Sequence, residues 1–91
     1  MVSKKVKVID ETGLHMKPAG ILCKEAVKFG CTIKIKNEHG IYNAKSVLSV
    51  LGACVRCGEE IELECEGLDE KEALEVLSKK IENGLYREEL L

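Results

Sequence analysis

The sequence predicts an α+β fold: a four-stranded, mostly antiparallel sheet in the order 1-4-2-3, with three helices on one face. Three observations predict it. Short stretches alternate apolar and polar residues at period two, and they interleave with stretches whose apolar residues recur at helical spacing. The resulting order is strand, helix, strand, strand, helix, strand, helix. The outward rows of the strands also carry complementary charge. Glu60, Glu62, Glu64 and Glu66 form a carboxylate row that needs basic neighbours, because like charges directly opposite each other are unfavourable. Lys5 and Lys7 on one strand and Lys34 and Lys36 on another supply them, so the fourth strand belongs between the first and second.

Each element has its own local reason. Val2 to Ile9 reads as a strand in which Val6 and Val8 face inward and Lys5 and Lys7 outward. Asp10-Glu11-Thr12-Gly13 is a polar loop. The spacing of Ala19, Leu22, Cys23, Ala26 and Phe29 predicts a helix from about Met16 to Phe29, with Lys24, Glu25 and Lys28 outward and Gly30 as its stop. Thr32 to Lys36 is a second strand. Asn37-Glu38-His39-Gly40 is a hairpin turn, and Ile41 to Ala44 a short third strand. Ser46 to Leu51 reads as a short helix with Ser46 as N-cap, followed by a loop from Gly52 to Gly58.

Glu60 to Glu66 is the clearest strand, with Ile61, Leu63 and Cys65 inward. Asp69 followed by Glu72 fits a capping box at the start of the last helix. Ala73, Leu74, Leu77 and Ile81 would form the inner face of that helix, and Gly84 its end. The tail from Leu85 to Leu91 is expected to dock or to fray.

Composition narrows the function. The chain has 91 residues, which suits one domain spanning 1–91, with 45% hydrophobic and 33% charged residues and a net charge of −2. Aromatic residues are only 3% and no basic stripe is present, which argues against direct binding of nucleic acid. The apolar runs are too short to insert in a membrane. Alternation, rather than a signal peptide's apolar run, follows Met1-Val2-Ser3-Lys4-Lys5, so a cytoplasmic location is expected. Five cysteines, an odd number, fit reduced thiols packed mostly in the core.

The stretch Thr12-Gly13-Leu14-His15-Met16-Lys17-Pro18-Ala19-Gly20 concentrates the chemistry. Pro18 suits a first helical turn, since it lacks an N–H and has a preset φ. Unpaired amides and the positive end of the helix dipole should therefore surround His15 and favour an anion. A neutral imidazole is nucleophilic, so His15 is a candidate phosphoryl acceptor through Nδ1; the plain alternative is a helix-capping histidine. Lys17 is a candidate phosphate-side cation or a solvated helix residue. Ser46 is an N-cap and a candidate phosphoserine, since phosphate is stabilised at a helix N-terminus. Cys54 and Cys57 form a Cys-x-x-Cys pair without a flanking histidine. A zinc site would need two more ligands from elsewhere. His39 reads as a surface turn residue.

Gly13-Leu14-His15-Met16-Lys17-Pro18-Ala19 resembles the active-site motif of the histidine-containing phosphocarrier (HPr) family of the bacterial sugar phosphotransferase system. Asn43-Ala44-Lys45-Ser46-Val47-Leu48 resembles the family's second motif, around a regulatory serine, and the element order matches along nearly the whole chain. The resemblance implies an open-faced β-sandwich of four strands and three helices. It implies that His15 accepts a phosphoryl group from enzyme I and passes it to the A component of enzymes II, as a carrier rather than an enzyme and without a cofactor or metal. It also implies a kinase/phosphorylase acting on Ser46 and a catabolite-control regulator as further partners, with Met16, Leu48 and Leu51 on the docking surface.

The sequence departs from the family pattern at several places. Lys17 stands for the usual arginine, Met16 for a small residue, Ser49 and Leu51 for a glycine and a methionine, and Cys54 for a glycine. Two rival readings follow. One is a regulatory module acting through Ser46, with little phosphotransfer. The other is a metal or redox domain built on Cys54 and Cys57. Metal-carrier domains of this size place such a pair in the loop after the first strand, which here carries His15.

Overall fold

A computed structural model describes residues 1–86. Its elements are β1 (Val2–Lys7), α1 (Met16–Ala26), β2 (Thr32–Asn37), β3 (Gly40–Asn43), α2 (Val47–Gly52), β4 (Glu60–Glu66) and α3 (Glu70–Asn83). The strands form one antiparallel sheet in the order β1-β4-β2-β3. The register matches the charge rows: Lys5 lies opposite Glu62, Lys7 opposite Glu60, Lys34 opposite Glu64 and Lys36 opposite Glu62. The other face carries Val6, Ile33, Ile35, Ile61, Leu63 and Cys65, all buried, and the helices cover it with Leu22, Ala26, Val50, Leu77 and Ile81.

Several boundaries differ from the expectation. Regular β1 pairing stops at Lys7, yet Val8 still exchanges bonds with the β4 approach, its N–H donating to Glu59 O and its carbonyl accepting from Gly58 N. α1 ends at Ala26 rather than Phe29. The Lys28 and Phe29 amides reach back only three residues, to Glu25 and Ala26, so the last turn tightens out of α geometry. β3 covers Gly40–Asn43, one residue earlier than expected; the Ala44 N–H still donates in register to Ile33 O at 2.9 Å, and the chain then turns toward α2, with Ser46 N–H donating to Asn43 O. Leu74 is half-buried, and buried Ser78 joins the inner face of α3 by donating its hydroxyl to Glu75 O.

The capping box expected of Asp69 and Glu72 does not form. Asp69 makes no capping bond to its own helix; its carboxylate instead accepts the N–H groups of Gly30 and Cys31 at 2.8 and 2.9 Å. A reciprocal pair forms two residues earlier. Glu70 Oε1 accepts Gly67 N–H at 3.0 Å while the Glu70 N–H donates to Gly67 O. The carboxylate with the long-range task could not also close the helix start. Gly84 ends α3 as expected, and Leu85 docks in the core; residues 87–91 of the expected tail lie outside the described residues.

Candidate functional site

The approach to α1 is built backward from its first turn. Asp10 O accepts the Gly13 N–H at 2.8 Å, closing the loop after β1. Gly13 has φ of 68°, and a Cβ there would collide with Val55 O and stand 2.7 Å from Arg56 Cα. Only glycine lets the two backbones approach so closely. The contact allows Leu14 N–H to donate to Val55 O at 2.9 Å, and the Leu14 side chain is sealed in the core. The next residue, His15, is therefore left at the surface as the N-cap of α1, with extended backbone at φ −89° and ψ −165°.

His15 O accepts the first helical bond, from Ala19 N, at 2.8 Å. Its ring caps the helix as well: Nδ1 accepts the Met16 N–H at 2.9 Å. An accepting Nδ1 leaves the ring proton of the neutral tautomer on Nε2. The Met16 amide is thus held by the candidate nucleophile itself. Among the described residues, the Lys17 N–H has no acceptor, and Pro18 has no N–H to satisfy. Lys17 is exposed, with Nζ over the Tyr86 ring at 5.2 Å from its centroid. A hollow of about 680 Å³ gathers these groups, lined by His15, Met16, Lys17, Thr12, Glu11 and Tyr86 among others.

Ser46 caps α2, its Oγ accepting the Ser49 N–H at 3.3 Å, and its carbonyl accepting Val50 N–H at 3.0 Å. The side chain is half-buried and does not line the hollow. Lys45 Nζ, beside it, donates to Phe29 O at 2.6 Å and ties the start of α2 to the end of α1. The two helices pack against each other. Met16 and Leu48 are 61% and 82% exposed, large apolar side chains left in water, whereas Leu51 is half-buried against the core and contributes only part of its surface.

This geometry can be set against known proteins. A family model described as "PTS HPr component phosphorylation site" matches residues 2–83. The chain belongs to the HPr family. It is 34% identical over 88 residues to phosphocarrier protein HPr of Treponema pallidum (strain Nichols), covering 97% of this chain and all of that protein. It is 35% identical over 82 residues to the HPr-like protein Crh of Bacillus subtilis (strain 168), covering 90% and 96% respectively. The crystal structure of HPr-C-His from Thermoanaerobacter tengcongensis superposes with a TM-score of 0.88 at 32% identity, covering 91% of this chain and 93% of that one. HPr phosphocarriers are components of the phosphotransferase system and are not enzymes themselves. Among the described residues of this HPr-family chain, no helix is long and apolar enough to cross a membrane.

The cysteines divide in two groups. Cys23, Cys31 and Cys65 are buried, and burial raises the pKa of each thiol. Cys65 is pushed up to about 12, first by burial and then by the adjoining Cys31. Such thiols stay protonated and inert. Cys54 and Cys57 are exposed. Cys54 faces a second hollow, with His39 and Arg56, rather than the His15 hollow, and Cys57 Sγ donates to Ile9 O at 3.6 Å. Among the described residues, no three His, Cys, Asp or Glu side chains are gathered to hold an ion.

Sequence reasoning missed two residues that line the His15 hollow, Asp10 and Tyr86. The available signal was weak: an acidic residue closing the first loop, and a Leu85-Tyr86 pair directly after the helix-ending glycine.

Proposed function

We propose that the chain is a phosphoryl carrier of the phosphoenolpyruvate-dependent sugar phosphotransferase system and that His15 carries the group. The observation that supports this reading best is the surface-exposed His15 ring, with Nδ1 turned onto the first amide of α1. The Nδ1 lone pair attacks the phosphorus of a phosphohistidine on enzyme I. The new N–P bond forms as the donor's N–P bond breaks, and the donor imidazole departs with the electron pair of that bond. No proton need move when the donor ring is protonated on its other nitrogen: the donor then leaves as a neutral imidazole, and the His15 ring takes up the positive charge with its Nε2 proton in place. The Met16 N–H, released from Nδ1, is then available to a phosphoryl oxygen, together with the free Lys17 N–H, the helix dipole and the Lys17 ammonium. The A component of an enzyme II takes the group by the same exchange in reverse. Met16 and Leu48, with the exposed part of Leu51, form the docking surface, and the small patch suits brief encounters with successive partners. A cytoplasmic location, no cofactor and a single domain over 1–91 accompany this reading.

The second reading is a regulatory module acting through phosphorylation of Ser46. The similarity to the HPr-like protein Crh supports it. A kinase/phosphorylase would modify Ser46 and a catabolite-control regulator would bind the product. The two readings part on one experiment. Incubation with enzyme I and labelled phosphoenolpyruvate should place acid-labile label on the chain, and His15→Ala should abolish it while leaving the fold intact. No label on the wild-type chain, with kinase-dependent acid-stable label on Ser46, would favour the regulatory module.

A further inference from the structure

The C-terminal end of α3 turns back to the loop that carries His15, and one carboxylate fixes the turn. Asp10 Oδ1 accepts the Leu85 N–H at 2.9 Å and Oδ2 accepts the Tyr86 N–H at 3.0 Å. Asp10 is only 8% exposed, and Leu85 is locked into the core. With its own N–H and that of Leu85 both held by Asp10, Tyr86 projects onto the hollow beside His15, where its ring meets the Lys17 ammonium at 5.2 Å. Among the described residues, Lys17 Nζ has no carboxylate partner, so the ring is what restrains it.

A lysine needs such restraint more than an arginine does. Its charge is a point at the end of a flexible four-carbon stem, whereas a guanidinium is a planar fork that orients itself on a phosphate. We propose that Tyr86 is a positioning residue for phosphoryl transfer: its ring holds the Lys17 ammonium at the His15 hollow, and Asp10 holds the ring. The inference rests on the reading of His15 as the phosphoryl carrier. Tyr86 acts on the phosphoryl group only through Lys17.

Tyr86→Leu and Tyr86→Phe in the full chain test it, with two readouts. The first needs no partner. NMR of the ε-methylene protons of Lys17 should show an upfield ring-current shift in the wild type and in Tyr86→Phe, and its loss in Tyr86→Leu. The second is kcat/KM for phosphoryl transfer from enzyme I. It should fall about two- to five-fold in Tyr86→Leu, the size of an exposed cation–π contact, and be retained in Tyr86→Phe. In a Lys17→Met background the same substitution should cost nothing further, which a purely structural role of Tyr86 would not produce. A wild type that takes phosphate on His15 alongside a Tyr86→Leu variant that is equally fast, or faster, overturns the positioning role alone. So does an equal loss in the Lys17→Met background, or the absence of the ring-current shift. A wild type that takes no phosphate overturns the carrier reading and the positioning role with it.

Discussion

The backbone of Gly13 lies directly against the carbonyl of Val55, with no space for a side chain between them. That contact delivers Leu14 to the core and leaves His15 at the surface. Gly13→Ala would add both left-handed strain and a collision with Val55 and Arg56. A loss of about 2–4 kcal/mol is expected. Urea unfolding should register that loss, and labelling of His15 by enzyme I should fall even where the variant is still folded.

Asp69 ties α3 to the Gly30–Cys31 turn, and the Gly30 N–H is the main reason its carboxyl titrates below the usual aspartate range. A carboxylate with a lowered folded-state pKa contributes stability that is complete above its unfolded value and is lost as pH falls through the folded one. The urea midpoint should therefore drop on acidification below the ordinary aspartate value of 3.8. Asp69→Asn should lower the midpoint at neutral pH and flatten the acid slope. Part of the slope should persist, because Glu70 and Glu75 are also lowered, chiefly by the Gly67 N–H and by Lys79.

Leu48 is 82% exposed on the first turn of α2. Leu48→Asp should change stability by no more than about 0.5 kcal/mol. If this surface docks enzyme I, KM should rise about ten-fold with kcat nearly unchanged, as expected for one apolar anchor of a small interface. Equal KM values for the two proteins would remove Leu48 from the docking surface.

Cys54 has φ of 53°, and among the described residues it alone is a non-glycine with positive φ. Cys54→Gly relieves roughly 1–2 kcal/mol of left-handed strain and forfeits about 0.4–1 kcal/mol to unfolded-chain entropy. A net gain of about 0.5–1 kcal/mol should appear as a Tm higher by roughly 2–6 °C in a thermal melt.

Much of this architecture could be read from the residue pattern within each element. Period-two alternation assigned the strand faces, and the Glu row of β4 admitted only lysine-bearing neighbours, which fixed the order β1-β4-β2-β3. The Gly-Leu-His-x-Lys-Pro run located His15 at a helix start because capping and proline geometry are local properties. The ends of α1 and β1 were harder to read, since Phe29 continues the apolar pattern after four-residue bonds have given way to three-residue ones, and Val8 continues it beyond the last regular pair while still bonding Gly58 and Glu59.

The sequence by itself determined which faces are apolar and where the histidine stands, because periodicity and capping are local, and which strands are neighbours, because each strand carries its outward charge in its own residues. Tertiary structure decided where the carboxylates and the tail go. Asp69 left its own helix for amides 38 and 39 residues away, and Asp10 captured amides 75 and 76 residues away, bringing Tyr86 over Lys17. A carboxylate accepts any N–H that the folded chain brings within reach. Which one arrives depends on the packing of whole elements, and no local pattern records it.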